Sequence, residues 1–200
     1  MAITNGYATL AQMKSALRIS DTVDDALLEM AVESASRAID GFTERNFYSS
    51  GTATRIYAAQ SWELVQTDDI AGTAVTVATD PNMDGTWAIT FASSDYQLEP
   101  INGVSDGQQV PYTRIRAVGN YAFPILGGKA LVKVTGVFGW TSAPMAITQA
   151  CIIQASRIFK RLDSPLGVAG FGDMGAIRVS RYLDPDVEQL VTPYRKTWGM

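Results

Sequence analysis

Hydrophobic residues change their spacing twice along this 200-residue chain, and that switch constrains its fold more than any motif it carries. In the first fifty residues the spacing is helical. Thr9 followed by Gln12 has the form of a capping box and opens a short helix with Leu10, Met13 and Leu17 on one face. Thr22 and Asp25 repeat that form, and Leu28, Val32, Ala35, Ile39 and Phe42 then make the stripe of an amphipathic helix over about 26–42. Its other face holds Glu29, Glu33, Arg37, Asp40 and Glu44. From Tyr48 onward Gly, Thr, Val and aromatic residues alternate with polar ones at period two, the pattern of strands with one buried face. The alternation predicts strands near 55–58, 62–66, 74–79, 86–91, 112–118 and 129–138, with 80–85 as a hairpin tip.

Helical spacing returns after Trp140. Ser142 is the expected cap and Pro144 falls in the first turn, where its missing N–H costs nothing. Met145, Thr148, Ile152, Ala155, Phe159 and Leu162 form one stripe, and Ile147, Cys151 and Ile158 widen it on another side. A helix apolar over most of its circumference is either central to its domain or packed between its domain and a neighbouring subunit. A glycine-rich stretch, 164–175, and a short alternating run, 176–182, follow. The last helix is capped by Asp184, has Pro185 at its first position, and runs through Val187, Leu190 and Val191 to a stop at Pro193. The fold class expected is therefore α+β: a small bundle of about four helices with a β-rich insert, an antiparallel sheet or small barrel, between the second and third. The expected divisions are 1–50 and 141–200 for the helical core and 51–140 for the insert.

Composition narrows the chemistry. There is no histidine, which removes Ser-His-Asp, Cys-His and HExxH arrangements from a single chain. The one cysteine, Cys151, closes no intrachain disulfide and supplies no Cys-rich metal site, a pattern that fits synthesis in a reducing cytoplasm. Sixteen basic and twenty acidic residues give a net charge of −4, with only residues 141–200 basic, by seven to five. Such a chain does not attract DNA as a whole. The first ten residues lack a secretory pattern, and the longest apolar stretch, 131–140, is far short of the roughly 20 residues a membrane span needs.

Several motifs read as local structure. Gly170, Gly172 and Gly175 spell GxGxxG, but the stretch follows a helix and precedes a strand-like run, the reverse of a dinucleotide site. Asp80, Asn82, Asp84 and Gly85 resemble the first half of a calcium loop, yet position twelve is Phe91, so a plain turn is expected. Of the carboxylate pairs, Asp24 with Asp25 and Asp184 with Asp186 sit at helix starts, and Asp68 with Asp69 in a turn. Cys151 reads as a packing thiol, and Trp62, Trp87 and Trp140 as sheet and core residues. Arg157, Lys160 and Arg161 suit either an acidic partner or simply the end of a helix. No cofactor, metal or catalytic set is expected. The final stretch, with Tyr194, Arg195, Lys196 and Trp198, is richer in aromatic and cationic side chains than a solvated tail requires.

The opening run from Tyr7 to Ile19, the acidic linker 20–25 and the helix ending at Ile39-Asp40-Gly41-Phe42-Thr43-Glu44-Arg45 resemble the start of head–tail connector (adaptor) proteins of tailed bacteriophages. The helix over 143–162, the glycine-rich loop and the run 183–196 resemble the family's later part. The resemblance implies a non-enzymatic virion protein, made in the host cytoplasm, that forms a dodecameric ring under the portal protein, extends the DNA channel and docks a stopper or tail-completion protein. DNA is then only cargo, and no membrane is involved. It implies portal contacts at Val187, Leu190, Val191, Tyr194, Arg195, Lys196 and Trp198. A loop ordered on assembly would comprise Leu166, Gly167, Gly170, Phe171, Gly172 and Gly175, and the apolar helix would meet a neighbouring subunit through Ile147, Cys151 and Ile158. The rival readings are a carboxylate-based hydrolase using the β-rich insert, or a stand-alone ligand-binding module.

Overall fold

The computed structural model describes residues 2–105 and 107–161, the backbone of 168–169 and 177–178, and residues 183–196. The chain divides into two compact units, one of residues 1–47 with 143–200, the other of residues 48–142. The α+β architecture is the expected one, with the β-rich insert between the second and third helices.

In the helical unit, α1 (Leu10–Leu17) opens with the complete capping box: Thr9 Oγ1 accepts from Gln12 N–H, and the Gln12 side chain accepts from Thr9 N–H. Helix α2 (Asp25–Thr43) starts from Asp24, which makes no side-chain cap bond, so the second capping box does not form. Asp25 instead takes an ion pair from Lys14 of α1 at 2.7 Å. Leu28, Val32, Ala35 and Ile39 are wholly buried, as their spacing requires. The polar face is less solvated than expected, because the residues before α1 lie over it. Tyr7 and Ala8 are buried there, Tyr7 N–H donates to Ser36 Oγ, and the Tyr7 hydroxyl donates to Asp40.

Helix α3 (Met145–Arg161) packs against α1, α2 and α4 (Pro185–Val191), which makes it the central helix of its unit. Its buried face is Ile147, Ala150, Cys151, Gln154 and Ala155. The stripe singled out by spacing is the less covered one: Met145 is 89% exposed, and Thr148, Ile152 and Phe159 are half-buried. The buried face takes Ala155 from that stripe and Ile147 and Cys151 from the side that widens it, and adds Ala150 and Gln154. That amide is tolerated inside because its Oε1 accepts the Asp184 N–H that begins α4.

In the insert, β1 (Ser49–Ala58), β2 (Leu64–Ile70), β3 (Thr76–Thr79), β4 (Ile89–Phe91), β5 (Tyr96–Glu99), β8 (Tyr112–Ala117) and β9 (Ala130–Gly139) form an antiparallel sheet. Two two-residue strands, β6 (Val104–Ser105) and β7 (Gln108–Gln109), make a separate hairpin. The strand β9 organises the sheet. It pairs with β1 along its length and with β3 over 132–135, and it meets β2 at Phe138. The sheet curls until Tyr96 on β5 donates to the Val75 carbonyl just before β3, closing it around Val65, Ile70, Val77, Ile115, Val132, Val134 and Phe138. The backbone of 168–169 and 177–178 pairs as two short antiparallel strands, β10 and β11.

Three expectations for the insert are corrected. Asp68 and Asp69 lie in β2, where the register shifts between Gln66 and Ile70, and not in a turn. Charge pairing makes this possible: Asp68 takes Arg55 of β1 at 2.6 Å, while buried Asp69 accepts the Trp140 indole N–H at 3.0 Å. Trp62 is 59% exposed and is no core residue. The strand β5 is not among the expected ones although Tyr96-Gln97-Leu98-Glu99 alternates, because four residues ending at Pro100 give too short a run to stand out.

Gly139 ends β9 at φ +98°, and a Cβ there would lie 1.9 Å from the Tyr48 carbonyl oxygen. Gly139→Ala combines left-handed strain with a backbone clash, and is expected to lower unfolding free energy by at least about 2 kcal/mol, read as a shifted urea midpoint. A midpoint within error of the parent would refute this packing at the strand end.

Candidate functional site

The residues expected to carry partner contacts lie mainly in the last described segment, 183–196. Asp184 caps α4, its side chain accepting from Asp186 N–H at 3.1 Å, and takes an ion pair from Arg157 of α3 at 3.1 Å. Pro185 holds the first helical position. Val187 and Val191 point inward and are wholly buried, so they anchor α4 to its own unit; Leu190 is half-buried. A single 3-10 turn, Thr192–Tyr194, then ends the helix, as Pro193 removes the N–H that would continue it.

Beyond that turn the chain returns to the carboxyl end of α2. Lys196 N–H donates to the Thr43 carbonyl at 2.8 Å, occupying one of the helix-end carbonyls that lack an intrahelical partner. The Tyr194 ring meets Phe47 edge-on at 5.9 Å, and the Arg195 guanidinium lies over the Phe42 ring at 5.6 Å. A backbone hydrogen bond, an edge-on aromatic pair and an exposed cation on a ring contribute roughly 2–4 kcal/mol together. Holding three residues in one conformation costs about 1–2 kcal/mol each. These three contacts are of the same order as that cost.

The base of this seat is a polar cluster that spacing did not reveal. Phe47 N–H donates to the Tyr7 hydroxyl oxygen at 2.8 Å while that hydroxyl donates to Asp40, and Arg37 pairs with Asp40 at 3.0 Å. Tyr7 and Phe47 also meet edge-on at 5.6 Å. Burial raises both the Tyr7 phenol and the Asp40 carboxyl above their ordinary values, the Tyr7 bond and the Arg37 charge only partly opposing the rise at Asp40. Spacing along α2 offers Asp40 only Arg37, since its other partner, Tyr7, lies 33 residues earlier in the chain.

Other candidates have local explanations. Asp80 accepts from the N–H groups of Asp84 and Gly85 at 3.3 and 2.8 Å, and Asp84 from Thr86 N–H at 2.8 Å, so these carboxylates build the expected turn. No group of three or more His, Cys, Asp or Glu suited to a metal occurs among the described residues. Burial pushes the Cys151 thiol up, with Ser36 Oγ 3.4 Å away, as expected of a packing residue. Ile147 and Cys151 are wholly buried and offer no surface to a neighbouring copy in this conformation, because they belong to the inner face of α3; Ile158 is half-buried. Leu166, Gly167, Gly170, Phe171, Gly172, Gly175 and Trp198 lie outside the described residues. No described helix is long and apolar enough to cross a membrane.

A protonated Asp40 binds its proton more tightly in the folded chain than in the unfolded one, so stability falls as pH rises from the ordinary carboxylate range through the raised value. Asp40→Asn lacks this component. As pH rises from about 4, the ordinary carboxylate value, the parent is expected to lose melting temperature relative to Asp40→Asn; a relative gain would overturn the assignment.

Comparison with known proteins follows the same division of the chain. The family model of the phage gp6-like head-tail connector proteins matches residues 7–76, from the segment over α2 to the start of β3. A search of curated proteins finds no match. Among solved structures, the chain is similar to a protein from the neck of an empty gene transfer agent particle computed with C6 symmetry, with 18% identity and a TM-score of 0.56. A protein from the virion of the native gene transfer agent particle is similar at 19% identity and a TM-score of 0.58. Each likeness covers 100% of this chain and 95% of the other. The resemblance to phage head–tail connector proteins is thereby borne out by the match over residues 7–76, and over its full length the chain shares the fold of proteins from gene transfer agent particles.

Proposed function

We propose that this chain is a non-enzymatic adaptor at the head–tail interface of a virion, where copies form a ring beneath the portal, extend the DNA channel and receive a stopper or tail-completion protein. The observation that carries the reading is the match of residues 7–76 to a head-tail connector family in a chain whose full length folds like a neck protein. Support also comes from the segment 183–196, which α4 anchors through Val187 and Val191 and which leaves Arg195 exposed at its end. In this reading Leu190, Tyr194, Arg195 and Lys196, with Trp198 beyond, touch the portal. Copies meet through the less covered side of α3 that carries Ile158, in a ring expected to contain twelve. The glycine-rich stretch 164–175 becomes ordered on assembly. The rival readings as a carboxylate hydrolase or a separate binding module gain no support from the insert, whose described carboxylates serve turns and ion pairs.

The test is assembly with purified portal protein of the same particle, followed by native mass spectrometry and electron microscopy. The expected product is a portal ring carrying a second ring with the mass of twelve copies. Deleting 193–200 should abolish binding while the far-ultraviolet circular dichroism and the cooperative melt persist. A chain that stays monomeric and ignores the portal refutes the adaptor reading, and a truncated chain that binds unchanged refutes the role of its last segment.

A further inference from the structure

We propose that the segment Thr192–Lys196 is an autoinhibitory strap: in the single chain it closes on the carboxyl end of α2, and it must leave that seat before its side chains can engage the portal. The inference rests on the portal-binding role proposed for this segment.

Three observations carry it. The side chains assigned to the portal are already engaged within the chain, Tyr194 against Phe47 and Arg195 over Phe42. The main chain is engaged as well, through the Lys196 N–H on the Thr43 carbonyl. The seat is also independent of what holds α4: Val187 and Val191 are wholly buried and Asp184 is tied to Arg157, so release from Thr192 onward leaves the helix in place. Thr192 and Pro193 form the natural break, since the α-helical pattern ends at Val191 and Pro193 cannot extend it. A binding segment that is free only part of the time binds more weakly by that fraction: a strap open one time in about ten loses about tenfold in apparent affinity. Such an arrangement keeps single copies from occupying the portal one by one and favours their arrival together, where contacts between neighbours offset the opening.

The test alters the seat and leaves the strap intact. Phe42→Ala removes the ring under Arg195; Phe42 is half-buried, so Phe42→Leu, which keeps the apolar volume and loses the ring face, serves as the second variant should the first melt below assay temperature. Amide hydrogen exchange over 192–196 is measured in the free protein, and binding to immobilised, purified portal of the same particle is measured by interferometry. The expected result is faster exchange in the strap together with portal affinity about three- to tenfold higher than the parent. Faster exchange with unchanged or weaker affinity overturns the inference, as does exchange that rises in neither variant. The truncation at 193 run alongside separates the two readings: if it binds like the parent, the segment has no portal role; if it fails while the Phe42 variants bind like the parent, that role stands and the strap is no inhibitor.

Discussion

The helical unit converges on one backbone group, the N–H of Phe47. It lies just where the chain leaves α2 for the insert, and the Tyr7 hydroxyl satisfies it from the opposite end of the unit's sequence. That hydroxyl in turn holds Asp40, and the Tyr7 and Tyr194 rings both stand edge-on against Phe47. Three stretches remote in sequence therefore share one anchor: the run before α1, the end of α2, and the segment after α4. An orphaned backbone donor inside a protein costs about 1–3 kcal/mol, so each stretch constrains the other two. The same geometry explains why α2 is held on its charged side, where amphipathic spacing alone leaves a solvated surface.

Legibility in the sequence followed how local each interaction is. Thr9 and Gln12 are three residues apart and settle the start of α1 between themselves, as do Asp184 and Pro185 for α4. The period-two middle placed most strands, with β9 recovered almost whole. What failed was set by distant partners. Asp68 and Asp69 look like turn residues until Arg55 and Trp140 are brought to them by the β1–β9 pairing. Gln154 has no apolar signal, and its place on the inner face of α3 becomes intelligible only when Asp184 N–H reaches it. Val187 and Val191 were expected at the portal because the resemblance places that contact in the last segment, and spacing alone does not tell an apolar pair that faces in from one that faces out.

The energetics of the two ends of segment 183–196 differ in kind. Burying two valines removes about 1.5–3 kcal/mol worth of apolar surface each from water, and the Asp184 cap and Arg157 pair add to it. The seat beyond Thr192 is built at more exposed positions, with Tyr194 and Lys196 half-buried and Arg195 exposed. Local opening samples the weakest units of a fold first, so the boundary between firm and loose falls at the 3-10 turn. A segment with a buried helix at one end and a more exposed seat at the other suits the late-arriving partner proposed for it.

The charge pattern bears on the proposed conduit role in a way the net value of −4 does not. Arg55 with Asp68, Arg116 with Glu63 and Glu99, Arg114 with Glu99, and Lys14 with Asp25 each place a cation against a carboxylate at 2.6–3.4 Å. On the insert, Asp68 raises the Arg55 guanidinium against the opposing effect of burial, and the Glu99 hydrogen bond raises Arg116. A cation already facing a carboxylate gains little from a phosphate, because the new contact must first release the old one. Affinity for DNA rests on counterions released by cations that settle on phosphates, so surfaces whose arginines are committed in pairs hold a duplex weakly. Weak, salt-insensitive contact is what a passage for moving DNA requires. The pairing of individual arginines, more than the overall acidity of the chain, is therefore the property that fits a channel wall.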